Sequence, residues 1–204
     1  MRVSLLFAAL VVSACAESPD VSGTAETVSE ALTPSPSAPE RAVAEIAEVD
    51  GSGVSGQVEF TSLGDDAIEV RFNLEGLAAG LHGFHIHQTG DCSPDSTGTP
   101  AGAAGDHFNP LSSPHGAPDS TAAHRHAGDL GNIVVEAGQA VGTRIDSVLA
   151  FDGPTSILGK AVIVHAGEDD MASQPSGDAG ARVGCGVIRE GRASAAPQPG
   201  SSDS

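Results

Sequence analysis

Six of the chain's eight histidines fall where metal ligands could sit. His85-Ile86-His87 closes a strand-like run. Successive strand side chains point to opposite faces, so the two imidazoles share one face while Phe84 and Ile86 enter the core from the other. Alone, such a pair describes many solvated strand faces. The segment that follows, GDHFNPLSSPHGAPDSTAAHRHAGDLGN, adds His107, His115, His126 and Asp129 within one glycine-rich loop. Three imidazoles and a carboxylate suit tetrahedral Zn²⁺. Imidazole-only coordination with an open position suits copper, which must change oxidation state. His165 ends the run Val162-Ile163-Val164 and so projects from a strand end, far in sequence from His85 and His87.

Elements that could carry these residues follow a period of two. Val58 and Phe60 alternate with polar neighbours, as do Ile68, Val70, Phe72 and Leu74 with Glu69, Arg71 and Asn73 between them. The runs Gly131–Glu136, Arg144–Phe151 and Ala161–His165 are short and rich in Val and Ile. Short strands between Gly, Pro and Asp turns indicate an all-β antiparallel sandwich or barrel. Two stretches break the pattern, 88–128 and 166–181, and loops that long in one domain are usually functional. Gly51-Ser52-Gly53-Val54-Ser55-Gly56 fits a dinucleotide-binding fingerprint literally. That reading requires a helix next, whereas Gln57-Val58-Glu59-Phe60 is strand-like, so a glycine-rich hairpin connection is expected.

The ends of the chain read as processing and tether segments. Arg2, the apolar run Leu5–Val12 and the sequence Val12-Ser13-Ala14-Cys15 resemble a bacterial lipoprotein signal, which is cleaved before a cysteine that then carries lipid. The apolar run is too short to span a bilayer, and an ordinary secretory signal with an incidental Cys15 is the alternative. Either reading makes the chain an exported one, expected in the periplasm or cell envelope and, with a lipid on Cys15, anchored to a membrane. The expected layout is a signal over 1–14, a lipidated Cys15 with a Ser/Pro/Glu-rich tether to residue 40, a domain over 41–191 and a disordered tail over 192–204. Three cysteines leave one over; if Cys15 carries lipid, Cys92 and Cys185 can pair in an oxidising compartment or stay as buried thiols. The formal charge of −18 argues against nucleic acid and anionic membrane surfaces as partners.

GFHIHQTGDC, GDHFNP, HAGDLGN, VIVHAGEDD and GARVGCGVI together resemble, in order, the signatures of the copper/zinc superoxide dismutases, particularly the exported bacterial ones. The resemblance covers roughly residues 41–191. It implies a Greek-key β-sandwich or barrel of about eight antiparallel strands, and disproportionation of superoxide. It also implies one copper on His85, His87, His107 and His165, and one zinc on His107, His115, His126 and Asp129, with His107 bridging and catalytic. Arg182 would guide the anion, Asp169 would tie a copper ligand to a zinc ligand, and Cys92 and Cys185 would form the disulfide.

The same resemblance makes His82 a buried structural histidine. The H-x-G-D spacing to Asp129 selects His126 and leaves His124 as a loop residue. Asp106 stands where the family commonly has glycine and is given no role. Glu168, Asp169 and Asp170, close to His165, lead to an expectation of activity below the family's best. A copper-binding or copper-delivery lipoprotein on the same fold is the rival reading, and a monomer or a homodimer fits equally.

Overall fold

Alternating burial builds the first three strands. The structure is a computed structural model, and it describes residues 39–64 and 67–191; Cys15, the signal and tether segments up to residue 38, and the tail beyond 191 lie outside the described residues. Ala42, Ala44 and Ile46 of β1 (Arg41–Glu48), Val58 and Phe60 of β2 (Ser55–Ser62), and Ile68, Val70 and Leu74 of β3 (Ile68–Glu75) are buried between more exposed neighbours. Residues 49–54 connect β1 to β2, with Gly51 and Gly53 at φ 72° and 78°. A strand follows the glycines, so the hairpin expectation holds.

The remaining strands are β4 (Gly80–His87), β5 (Asp129–Val135), β6 (Gln139–Asp146), β7 (Ala161–His165), β8 (Arg182–Val187) and the short β9 (Arg189–Glu190). All neighbouring strands are antiparallel, in the order β5-β4-β7-β8-β1-β2-β3-β6, with β9 beside β1. The neighbours β4–β7, β8–β1 and β3–β6 are not consecutive in sequence, which makes the winding a Greek key. β5 and β6, at the two ends of this order, are joined by a tight connection in which Glu136 and Gln139 exchange backbone hydrogen bonds. The barrel is therefore nearly closed. Among the described residues there is no α-helix, only a 3₁₀ turn at Gly102–Ala104.

β1 is the corner between the sheets. Its residues 41–46 pair with β2, while Ala47 and Glu48 pair with Cys185 and Gly184 of β8. Gly186 permits this approach, because a side chain there would overlap the Glu45 carbonyl. Strands with three alanines (β1) or two glycines (β8) carry a weak periodic signal, which is why alternation alone did not mark them.

The expected strand over Arg144–Phe151 needs correction. β6 ends at Asp146, whose Oδ1 accepts from the backbone N–H groups of Val148 (2.8 Å) and Leu149 (3.1 Å). A side chain that captures the next amides ends the ladder despite the apolar residues that follow. Residues 147–160 form a third long connection. The other two, 88–128 and 166–181, fall between β4 and β5 and between β7 and β8, as expected.

The barrel interior holds Phe60, Leu74, Phe84, Ile86, Leu130 and Ile188, among others. A second cluster lies outside it, where Ala101 and Ala104 pack on Ala161, Ile163 and Cys185. Loop 88–128 thus covers the outer face of β7, and every residue of that strand is buried.

Candidate metal centre

The strand pair β4–β7 carries three of the histidines. His85 and His87 lie in register with Ile163 and Ala161, and His165 ends β7. Register shifts occur beside two of them, between Gly83 and His85 and between Val164 and His165. Such bulges re-aim side chains at the end of a ladder. The loop delivers the fourth, since His107 makes an antiparallel bridge with His87. Candidate ligand atoms of His85, His87, His107 and His165 lie within 4.8 Å of one another, and all four residues are buried.

In three of these rings one nitrogen is fixed by an oxygen. His85 Nε2 donates to Asp169 Oδ2 (2.8 Å), His87 Nδ1 to the Gly105 carbonyl (2.8 Å), and His165 Nδ1 to the Gly180 carbonyl (3.0 Å). In the fourth, His107 Nδ1 lies 2.7 Å from Asp129 Oδ1. The opposite nitrogens, His85 Nδ1, His87 Nε2, His107 Nε2 and His165 Nε2, are buried without any hydrogen-bond partner. Orphaned polar atoms are costly, and four in one place indicate a bound species that consumes them. Burial lowers the proton affinity of His87, His107 and His165. His165 is pushed down to about 3 and His107 to about 4, the latter against the pull of Asp129, and His87 is held well below the usual histidine range. Their free nitrogens keep lone pairs available at neutral pH. A buried, all-imidazole set with fixed ring orientations fits copper.

The second group is His107, His115, His126 and Asp129, again with ligand atoms within 4.8 Å and all buried. Asp129 Oδ1 is the common point, 2.7 Å from His107 Nδ1, 3.0 Å from His115 Nδ1 and 3.1 Å from His126 Nδ1. Its Oδ2 accepts from the backbone N–H groups of Gly116 (3.1 Å) and His126 (2.8 Å), which fixes the carboxylate. Burial works against its charge, yet the hydrogen bonds of His107, His115 and His126 outweigh that and hold it well below the usual carboxylate range. Three imidazoles and an ionised carboxylate facing one point fit zinc. His107 belongs to both groups, with Nδ1 turned to Asp129 and Nε2 left for the other set.

Asp169 links the groups a second time. Its Oδ2 accepts from His85 and its Oδ1 from His115 Nε2 (2.9 Å). The Asn132 carboxamide pairs with both backbone groups of Asp169 at 2.8 Å, and the Gln174 carboxamide pairs with both backbone groups of His115 at 2.8 and 2.9 Å. Loop 166–181 is thereby clamped to loop 88–128. Gly177, at φ 71°, packs so closely here that any side chain would overlap Asp169 Oδ1 and crowd His115 Nε2. Burial pulls His115 down, but its contacts with Asp129 and Asp169 prevail and raise it to about 9.

A cleft of about 430 Å³ opens beside the first group, lined by His87, His107 and His165 with Gln88, Asp106 and Arg182 among others. Arg182 is held there by two carbonyls, with Nη1 on Ala101 and Nη2 on Gly105, both at 2.6 Å. The Gly105 carbonyl is shared with His87. Cys92 and Cys185 form a disulfide across a sequence separation of 93, with Cα atoms 5.8 Å apart. It ties the start of the loop that carries Ala101 and Gly105 to the strand that carries Arg182.

The two histidines expected to lie outside the ligand sets stay outside them. His82 is buried, its Nδ1 2.8 Å from the His165 carbonyl and its Nε2 2.9 Å from the Ala78 carbonyl. His124 is exposed and bonds Thr121 (2.9 Å). Sequence reasoning missed Arg125. It is buried between His124 and His126, donating from Nη2 to Asp146 Oδ2 (2.7 Å) and from Nη1 to the carbonyls of His126, Ala127 and Asp129. It also missed the two carboxamides; Asn132 sits at the end of a motif already singled out, but pairing with a distant backbone leaves no local pattern. The acidic trio near His165 needs revision. Asp169 is buried between two imidazoles, Asp170 caps the turn at Ala172 and Ser173, and neither these two nor Glu168 lines the cleft. Asp106 does.

Comparison with known proteins identifies the family and a similar fold. The family profile described as copper/zinc superoxide dismutase (SODC) matches residues 54–188. A solved structure, the crystal structure of the clock protein EA4, is similar, with 34% identity and a TM-score of 0.66 over 75% of this chain and 96% of that one.

Proposed function

Because the chain belongs to the copper/zinc superoxide dismutase family, we propose that it disproportionates superoxide, converting two superoxide ions and two protons to dioxygen and hydrogen peroxide. The observation that carries this reading is the set of four buried imidazole nitrogens without a partner, in rings whose other nitrogens are already fixed. His85, His87, His107 and His165 would hold copper, and His107, His115, His126 and Asp129 zinc. Bound copper supplies one-electron chemistry in both directions, and zinc supplies a fixed positive charge that orders the loop.

The chain's own residues do the rest. Arg182, fixed by two carbonyls, presents a permanent cation to the cleft and binds the substrate anion. With Nδ1 turned to Asp129 in the zinc set, the unpartnered Nε2 of His107 would take up a proton and hand it to the reduced oxygen product. Asp169 keeps His85 in the tautomer that leaves Nδ1 free. We further propose an envelope location with a lipid anchor at Cys15; the Cys92–Cys185 bridge supports an oxidising compartment.

Metal analysis of the purified domain with a parallel superoxide assay tests the reading. The expected result is one copper and one zinc per chain, with turnover abolished in His85→Ala. Zinc alone, with no turnover after copper loading, would overturn it. Both metals without turnover would make the protein a copper carrier.

A further inference from the structure

Among the residues that line the cleft, Arg182 and Asp106 are the two with permanent charge; the others are histidines, carboxamides and small residues. Among the described residues no other basic side chain lines it. Asp106 is exposed, and its carboxylate takes no hydrogen bond among the described residues. Its backbone is nonetheless fixed, the carbonyl accepting from Gln88 N–H at 3.0 Å beside the His87–His107 bridge. The charge is therefore held at the cleft without a neutralising contact of its own. Arg182 responds to it: burial weakens the guanidinium's hold on its proton, and Asp106, ahead of Asp95, acts in the opposite direction.

Resting on the dismutase reading, we infer that Asp106 is a specificity-determining residue of the cleft, whose carboxylate offsets Arg182 and restrains the approach and binding of anions. A cleft with one fixed cation and one fixed anion has little net attraction for superoxide beyond that of the metals. The overall charge of −18 is spread over the molecule and is screened beyond about 8–10 Å. A unit charge lining the anion's path, in a dielectric close to that of bulk water, changes local anion occupancy about severalfold at low salt. Neutral molecules feel no such term.

The test uses the metal-loaded protein, with azide as the anion and imidazole as the neutral probe, both titrated by the visible spectrum of the copper. Asp106→Asn should tighten azide binding about threefold at low ionic strength, and Asp106→Lys should tighten it further. The differences should collapse once added salt shortens the Debye length to about 3 Å. Imidazole affinity should stay level across the series, and kcat/KM for superoxide should rise in the order Asp, Asn, Lys. Equal azide affinity in the three proteins, or imidazole tightening in parallel with azide, overturns the inference. A wild-type protein that lacks the copper spectrum or does not dismutate superoxide overturns the dismutase reading instead.

Discussion

Arg125→Met removes the largest fully buried side chain of the structure and leaves its partners in place. Arg125 and Asp146 have side chains 1% and 2% exposed, with Nη2 and Oδ2 2.7 Å apart. Asp146 would keep its hydrogen bonds from Val148 and Leu149 but lose its counter-charge, while three carbonyls of 126–129 would lose their shared donor. Stranding one member of a buried pair costs about 3–5 kcal/mol. For a domain of this size each kcal/mol moves the midpoint by about 2–4 °C, so the expected fall is roughly 6–20 °C. The assay is thermal unfolding of the metal-free, disulfide-intact protein, beside Asp146→Asn and the double variant. Because the two residues share one interaction, the double variant should lose less than the sum of the singles. Zinc affinity should fall with stability, since the released carbonyls belong to His126, its neighbour Ala127 and Asp129. A midpoint within about 2 °C of wild type, or strictly additive effects, would refute the claim that this pair fastens the loop.

Two further outcomes follow from the same geometry. Asp169→Asn offers one acceptor where His85 and His115 each require one, so affinity for at least one metal should fall about 10- to 100-fold in competition titrations with a chelator; unchanged affinity for both would argue against the link. In the metal-free protein His87, His107 and His165 have lowered proton affinities, so their contribution to stability is complete above the unfolded value of 6.5 and is lost as pH falls towards 4 and 3. Asp129 and Asp169, also lowered, add to that acid loss. His115, raised to about 9, contributes fully below 6.5 and loses its contribution as pH rises through 9. With no tyrosine and one lysine in the chain, few other groups mask that alkaline decline. Urea midpoints of the chelated protein should therefore peak between about pH 6.5 and 9, and a midpoint still rising at pH 10 would contradict it.

The parts legible in the sequence were those written in local order. Alternation in 58–60 and 68–74 marked β2 and β3, and the residue types and spacing within 107–129 marked a ligand set. What was not legible depends on contacts between segments far apart. Arg125 looks like any loop arginine until Asp146 meets it, and the apolar residues after Asp146 suggested a longer strand because the capture of two amides by one carboxylate has no periodicity. Asp106 was passed over because no ligand position needed it. Sequence proximity drew attention to Glu168 and Asp170 instead, although neither lines the cleft.

The two ligand groups differ in what holds them. His85, His87 and His165 stand on β4 and β7, strands paired to each other and packed on both faces, so the barrel positions them whether or not an ion is present. His115 and His126 stand on a loop; Asp129, though first in β5, gathers the loop through hydrogen bonds to His126, Gly116 and the imidazoles themselves. That gathering depends on charge: one buried carboxylate faces three imidazoles, an arrangement that a divalent cation completes and that protonation of more than one ring would drive apart. Loop 88–128 also supplies the Ala101 and Gly105 carbonyls that hold Arg182, and the Cys92–Cys185 bridge pins the end of the loop nearest them. Order therefore passes from the zinc set through His107 and Asp169 to the copper set, and from the disulfide through Gly105 to Arg182 and His87. The strands fix where the first histidine set stands, while the loop sets the charges of the cleft that opens beside it.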